Sequence, residues 1–280
     1  MTKRPAQSGT HATGQQRRDS ETSADPFTQA FPAPPGLQVQ FIGSGDAFGS
    51  GGRFQTCIGL TAGGHRVLVD CGASSLIAMK RLGIALNSVE AVLLTHLHGD
   101  HYGGLPFFIL ESQLYTKRTA PLLIGGPPGT PERLKEAMEA LFRNSSTVQR
   151  RFEICHVEWQ PLQRAEIGPA LVTPFPVVHG SGAPPFALRV ELGGRTVTYS
   201  GDTEWAPSLP DAARDADLFI CECLRFDKPV KFHLDYGTLR AHAAELRPKR
   251  LLLTHLGPDM LAQRHNLDWE TAEDGMVVEL

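Results

Sequence analysis

Hydrophobic positions along the chain follow two periods in turn. Residues 37–43 (LQVQFIG) alternate with period two, as a half-buried strand does, and lead into a glycine-rich loop over 43–52. Residues 56–62 and 66–70 flank Gly63-Gly64, a two-residue hairpin signal. Residues 74–82 predict a helix. Residues 89–95 form a continuous apolar run, the pattern of a strand buried on both faces. Residues 102–115 have helical length with Pro106 near the start, 121–124 predict a short strand and 131–142 an amphipathic helix.

A second series follows with the same grammar. Strands are predicted over 152–158 and 170–178, and a second hairpin over 186–192 and 196–200 around Gly193-Gly194. A strand over 218–221, a helix over 236–246 and a strand over 250–254 complete it. Each half offers hairpins and then strand–helix–strand units. The pentapeptide LLTHL also occurs twice, at 93–97 and 252–256. Two sandwiched sheets covered by helices, one from each half, would explain the duplication; a chance repeat at two apolar strand ends is the alternative.

The first 35 residues break this pattern. They hold five Pro and only Met1, Phe27 and Phe31 as large apolar side chains, too little burial to offset ordering entropy. The segment 1–35 is therefore expected to be a disordered tail, and 36–280 a single domain. Of the 27 basic and 30 acidic residues, four and three fall in the tail, which leaves the remainder at −4. That balance argues against nucleic acid or an anionic membrane as a partner. The five Cys show no disulfide spacing, the N-terminus has no apolar signal segment and no run is long enough to span a membrane, so the expected compartment is the cytoplasm.

The chemistry concentrates at strand ends. The apolar run 89–94 is followed directly by Thr95-His96-Leu97-His98-Gly99-Asp100-His101. Imidazole and carboxylate are the usual ligands of zinc and similar ions. His96 and His98, two apart, can point one way, while Asp100 and His101 begin the next helix and reach a second ion. A plain helix cap would need Asp100 alone, not three His in six positions. His179, Asp202 and His255 each end a further predicted strand. Each has an ordinary reading as a turn residue by itself, but four strands ending in ligand-type side chains form a pattern.

Asp70 after an apolar strand, HLHGDH at 96–101, His179, Asp202 and His255 stand in the order of the metallo-β-lactamase superfamily, which the chain resembles over about 37–265. The start FIGSGDAFGSG, the GDT triplet at 201–203 and His233 before a helix resemble its phosphodiesterase branch, of which RNase Z is a member. The resemblance implies an α/β fold of two mixed sheets between helices. It implies one metal on His96, His98 and His179, another on Asp100, His101 and His255, and Asp202 bridging both. Zinc is favoured for such a site, with manganese or iron as alternatives. The resemblance also makes His233 a general acid oriented by Glu222, and Asp70 a residue that hydrogen-bonds the metal-binding loop without touching metal.

Two ions at such spacing can share a hydroxide near neutral pH and hold a phosphate oxygen, with Asp100 among the residues of the reaction centre. A leaving alkoxide then needs a proton, for which His233 is placed. Hydrolysis of a phosphodiester is the expected activity. A thioester, lactone or other ester hydrolase of the same fold, which needs no His233–Glu222 pair, is the second reading, and a non-catalytic or redox member the third. RNase Z enzymes carry a tRNA-gripping arm between the residues matching His179 and Asp202. Here only residues 180–201 separate them, 22 in all, and two strands fill the space. The expected partner is thus a small phosphodiester, such as a cyclic or nucleotide-derived diester; a homodimer whose other subunit supplies an arm stays open. The 43–52 loop, expected to be mobile, would bring Phe48 or Phe54 to substrate, with Trp205 as a pocket wall or a core residue. Cys221 and Cys223 are expected in the core.

Overall fold

The computed structural model describes Thr2 and residues 36–280, so the expected tail over 1–35 lies outside the described residues. Two seven-stranded sheets face each other. The first runs β14-β1-β2-β3-β4-β5-β6, the second β13-β12-β11-β10-β9-β8-β7. In chain order the first contains β1 (Gln38–Gly43), β2 (Cys57–Ala62), β3 (His65–Val69), β4 (Val89–Leu93), β5 (Leu122–Gly126) and β6 (Ile154–Glu158). The second contains β7 (Ala165–Ile167), β8 (Ala170–Pro176), β9 (Phe186–Leu192), β10 (Arg195–Tyr199), β11 (Leu218–Glu222), β12 (Leu251–Thr254) and β13 (Glu270–Thr271). The last strand, β14 (Val277–Glu279), returns to pair with β1.

Each sheet is antiparallel on one side and parallel on the other. Both predicted hairpins form, with positive φ at Gly63 and Gly64 (59° and 87°) and at Gly193 and Gly194 (58° and 75°). Only glycine takes two such residues in succession without strain, and this turn matches the twist of the strands it joins. The central core lies between the sheets, where Phe41, Val67 and Leu93 meet Leu188, Val197 and Ile220. Helices cover the outer faces. Three of them, α1 (Ser75–Arg81), α3 (Leu105–Leu114) and α4 (Thr130–Leu141), lie over the first sheet, burying Met79, Phe108 and Leu134 against Leu68, Val92 and Ile124. On the second, α5 (Leu209–Ala213), α6 (Tyr236–His242) and α7 (Pro258–Gln263) bury Leu209, Leu239 and Met260 with Cys221 and Cys223. No helix among the described residues is long and apolar enough to cross a membrane.

Three expectations are corrected. The helix predicted over 102–115 is shorter, α3 beginning at Leu105, because Gly103-Gly104, which part it from the one-turn α2 (Gly99–Tyr102), run against the segment after β3. A Cβ on Gly104 would stand 2.3 Å from the Gly72 carbonyl oxygen. The helix predicted to reach residue 246 stops at His242, beyond which the Ala243 and Glu245 N–H groups bond three residues back, to Arg240 and His242, in tight turns. The LLTHL repeat does not mark equivalent strands. One copy ends β4, but the sheet position matching β4 in the second half is β11, and the other copy ends β12. The halves share topology, while the pentapeptide recurs because two different buried strands end at the same centre.

Candidate metal centre and active site

The centre sits where β4, β8, β10 and β12 release their chains at one end of the sandwich. The seven residues with metal-ligand character gather there in two groups, His96, His98 and His179, and Asp100, His101, Asp202 and His255; within each group the donor atoms lie within 4.8 Å of one another. Asp202 stands between the groups. Its Oδ2 is 3.8 Å from His96 Nε2, 3.9 Å from His179 Nε2 and 3.5 Å from His255 Nε2, and its Oδ1 is 3.3 Å from His101 Nε2. His98 Nδ1 and His179 Nε2 approach to 2.9 Å.

Neighbours outside this set fix the rings. Asp70, wholly buried, accepts the Thr95 N–H and Thr95 Oγ1–H at 2.8 Å each and the His101 Nδ1–H at 2.7 Å. It touches the loop and not the cluster's centre, the place the resemblance implied. Thr95 Oγ1, its proton given to Asp70, accepts the His96 Nδ1–H at 3.0 Å. The His179 Nδ1–H goes to the Phe232 carbonyl at 2.8 Å and the His255 Nδ1–H to Thr56 Oγ1 at 3.3 Å. With Nδ1 so occupied, Nε2 of each ring points its lone pair into the cluster. Asp70 and His255 hold left-handed φ of 59° and 58°, the kind of backbone strain that collects at functional sites.

Three buried atoms at the centre, His96 Nε2, His101 Nε2 and Asp202 Oδ1, make no hydrogen bond. Buried polar atoms without partners are costly, and these three converge. The electrostatics agree. Burial, with repulsion from His101, pushes the His96 pKa well below the ordinary value. Burial opposes charge on Asp202 and Asp100, but His101 outweighs it, holding Asp202 well below the usual range and Asp100 at about 2. Burial alone would also lower His101, yet Asp202, Asp100 and Asp70 raise it. Two ionised carboxylates beside a His96 imidazole held neutral, with a proton on His101 that a cation would displace, form a donor set for divalent cations, and the residues present fit them.

Beside the cluster, His233 Nδ1 lies 3.0 Å from Glu222 Oε1 and 3.9 Å from Asp202 Oδ2. Burial would lower the His233 pKa, but the hydrogen bond and charge of Glu222 raise it to about 9. Burial pushes the Glu222 carboxyl upward, offset in part by His233. The pair therefore keeps a proton on the imidazole at neutral pH. Glu222 Oε1 also accepts the Thr203 N–H at 2.6 Å, which ties the pair to the GDT triplet.

Other expectations divide. Phe48 is 95% exposed. Phe54 instead packs on the outer core beneath the Arg81 guanidinium. The loop expected to be mobile is pinned: Asp46 accepts from Ser50, and Asp274 from the Ser44 and Phe54 N–H groups. Trp205 stacks on His242 with centroids 4.2 Å apart and packs with the second sheet's outer core, not as a wall of the centre. Trp159, Thr56 and Glu204 escaped the sequence reading. Trp159 is fully buried between the sheets and donates its indole N–H to the Leu94 carbonyl at 2.8 Å, fixing the chain just before His96. Only Gly125, whose Cβ would stand 2.2 Å from the ring, signals that contact in the sequence.

Comparison with known proteins agrees with this geometry. The family described as Anti-Pycsar protein Apyc1 matches residues 37–275. The chain belongs to that family. It lies within the metallo-β-lactamase superfamily on its RNase Z-like side. Ribonuclease Z of Mycobacterium sp. (strain KMS) is 29% identical over 257 residues, covering 83% of this chain and 88% of the relative. The crystal structure of the short form of human tRNase Z superimposes with a TM-score of 0.70 at 25% identity, covering 86% of this chain and 98% of the other. A diphosphatase of the PhnP family superimposes with a TM-score of 0.70 at 21% identity, over 87% and 98%. This Apyc1-family chain is a metal-dependent hydrolase of the metallo-β-lactamase fold, and its His/Asp cluster is suited to divalent metal.

Proposed function

We propose that the chain is a dinuclear, zinc-favouring phosphodiesterase that hydrolyses small phosphodiesters. The observation that carries the phosphodiester reading is the His233–Glu222 pair. A protonated imidazole held 3.0 Å from a buried carboxylate, at the edge of the metal-ligand cluster, is equipped to protonate a leaving alkoxide. Thioester and lactone hydrolysis has no need of it.

His96, His98 and His179 would hold one ion, Asp100, His101 and His255 the other, and Asp202 would contact both. When bound, the ions supply Lewis-acid charge to phosphate oxygens and make water available as a nucleophile near neutral pH. The chain's own residues do the rest. Asp70, Thr95, Thr56 and the Phe232 carbonyl hold the Nδ1 protons of His101, His96, His255 and His179 so that Nε2 of these four rings faces inward, while His98 turns its Nδ1 towards His179. Glu222 aims His233 and keeps it protonated, and His233 passes that proton to the departing oxygen.

Two features support a small substrate. The stretch between His179 and Asp202 is taken up by a short turn and the β9–β10 hairpin, and both strands are built into the second sheet. The net charge of residues 36–280 is negative, a poor match for a polyanion. The test is a side-by-side assay of bis-p-nitrophenyl phosphate, a cyclic nucleotide and precursor tRNA over a salt series. Turnover of the two small diesters with little salt dependence is expected. Efficient tRNA cleavage that weakens steeply with salt would overturn the small-substrate reading, and preference for thioester or lactone panels would overturn the phosphodiester one.

A further inference from the structure

Phe232 holds a left-handed φ of 72° although it carries a side chain. Its two backbone polar groups run to different parts of the centre. Its carbonyl accepts the His179 Nδ1–H at 2.8 Å, and its N–H donates to Glu204 Oε1 at 2.7 Å. The next residue is His233. The left-handed turn thus lets one peptide present a carbonyl to a metal-ligand imidazole while the following side chain points at Glu222 and Asp202. Such a backbone persists only where its surroundings over-determine it. Glu204 is well placed to do so, because it is itself anchored: its N–H donates to the Val178 carbonyl at 3.0 Å, and Thr203 Oγ1 accepts the Val178 N–H at 3.0 Å. Residues 202–204 therefore contact, in succession, the ligand cluster, the approach to His179 and the turn before His233.

We propose that Glu204 is a positioning residue of the centre: by holding Phe232 in its strained turn, it aims the His179 ring and His233 together. The inference rests on the proposed roles of His179 as a ligand and His233 as an acid, and it adds the residue that links them. Glu204 touches no reacting atom, and a purely structural role would lower thermal stability without a selective effect on metal.

The experiment titrates zinc alone into metal-free protein, with a chromogenic chelator as competitor, for the wild type and four variants. Glu204→Ala is expected to weaken the weaker zinc-binding step by about 10–100-fold, the scale of losing a group that orients a ligand. Glu204→Gln keeps a carbonyl oxygen for the Phe232 N–H and should stay within a few-fold of wild type. Asp259→Ala loosens the same connection at its other end, where Asp259 accepts the Phe226 N–H, and should leave zinc affinity unchanged. Glu204→Ala combined with Phe232→Gly should recover most of the lost affinity, since glycine adopts the left-handed turn without strain. That pair also decides the matter if Glu204→Ala alone fails to fold. Unchanged zinc affinity in Glu204→Ala, an equal loss in Glu204→Gln or Asp259→Ala, or no recovery in the double variant would overturn the proposal. Because zinc affinity is read without substrate, failure of the phosphodiesterase reading would appear separately, as absent turnover in wild-type protein that binds zinc normally.

Discussion

The two ligand groups differ in burial and in charge. Asp100, His101, Asp202 and His255 are all buried and include two carboxylates, whereas in the other group only His96 is buried and no carboxylate is present apart from the reach of Asp202. The inner group is closed by rigid partners, Asp70 and Thr56, each fully buried. The outer group is completed through a turn that carries a partly exposed Phe232. Buried carboxylates, one of them with the unpaired Asp202 Oδ1, favour a cation strongly, while a group of imidazoles alone brings no opposing charge. On the proposed two-ion reading the inner ion should therefore be held more tightly, and a chelator should strip zinc in two phases, the outer ion first.

Breaking the residue shared by both groups has the largest expected effect. Asp202→Ala should lose both ions and lower turnover by more than any single imidazole replacement; elemental analysis and kcat check it, and retention of both ions would remove Asp202 from its bridging place. Next comes the acid. His233→Ala should keep both ions and lower kcat by about 10²–10⁴-fold for an alkoxide leaving group. The loss should shrink for a p-nitrophenyl leaving group, which departs without a proton. The pH profile gives the sign. In the proposed role His233 acts only when protonated, so with its pKa raised to about 9 the wild-type rate should fall as pH rises through that region. That alkaline limb should vanish in His233→Ala.

Much of this centre is legible in the chain because ligands need particular side chains at strand ends, and strand ends show as apolar runs stopping at polar residues. HLHGDH after residues 89–94, the GDT triplet and the His after 251–254 are all of that kind. Asp70 and the His233–Glu222 pair required a family resemblance, since an Asp, a His and a Glu scattered over 160 residues carry no local signal. Thr56, Glu204 and the Phe232 carbonyl were not legible at all. Their roles come from backbone groups and from contacts between residues far apart in sequence, and Phe232 reveals nothing of its left-handed φ. The same reason hid β14 and β7: strands of three residues are too short for alternation to register.

Sharpening the comparison between groups calls for changes beside the ligands. Asp70→Asn should remove charge and an acceptor from His101 while keeping shape, weakening the inner ion by about 10–100-fold and leaving the outer one in place. Zinc affinity should also rise with pH for the inner group above all, because the carboxylates around His101 hold a proton on it that an ion must displace. A proton count by titration in buffers of different ionisation heat checks this.

The smallest effect on the centre is expected at Trp159. Its ring fills the space over Gly125, and its indole N–H satisfies the Leu94 carbonyl two residues before His96. Trp159→Phe removes the donor and leaves a buried carbonyl with one partner fewer, at a cost of about 1–3 kcal/mol to stability. The Leu94 N–H still donates to the Gly125 carbonyl at 2.8 Å, and Asp70 still holds Thr95 through two hydrogen bonds. The strand end should therefore keep its course. Tm should drop by several degrees, while zinc affinity in both groups stays within a few-fold of wild type. A selective loss of the outer ion in this variant would mean that Leu94, not Asp70 and Thr95, sets the aim of His96, and the contrast between a rigid inner group and a strap-held outer one would then need redrawing.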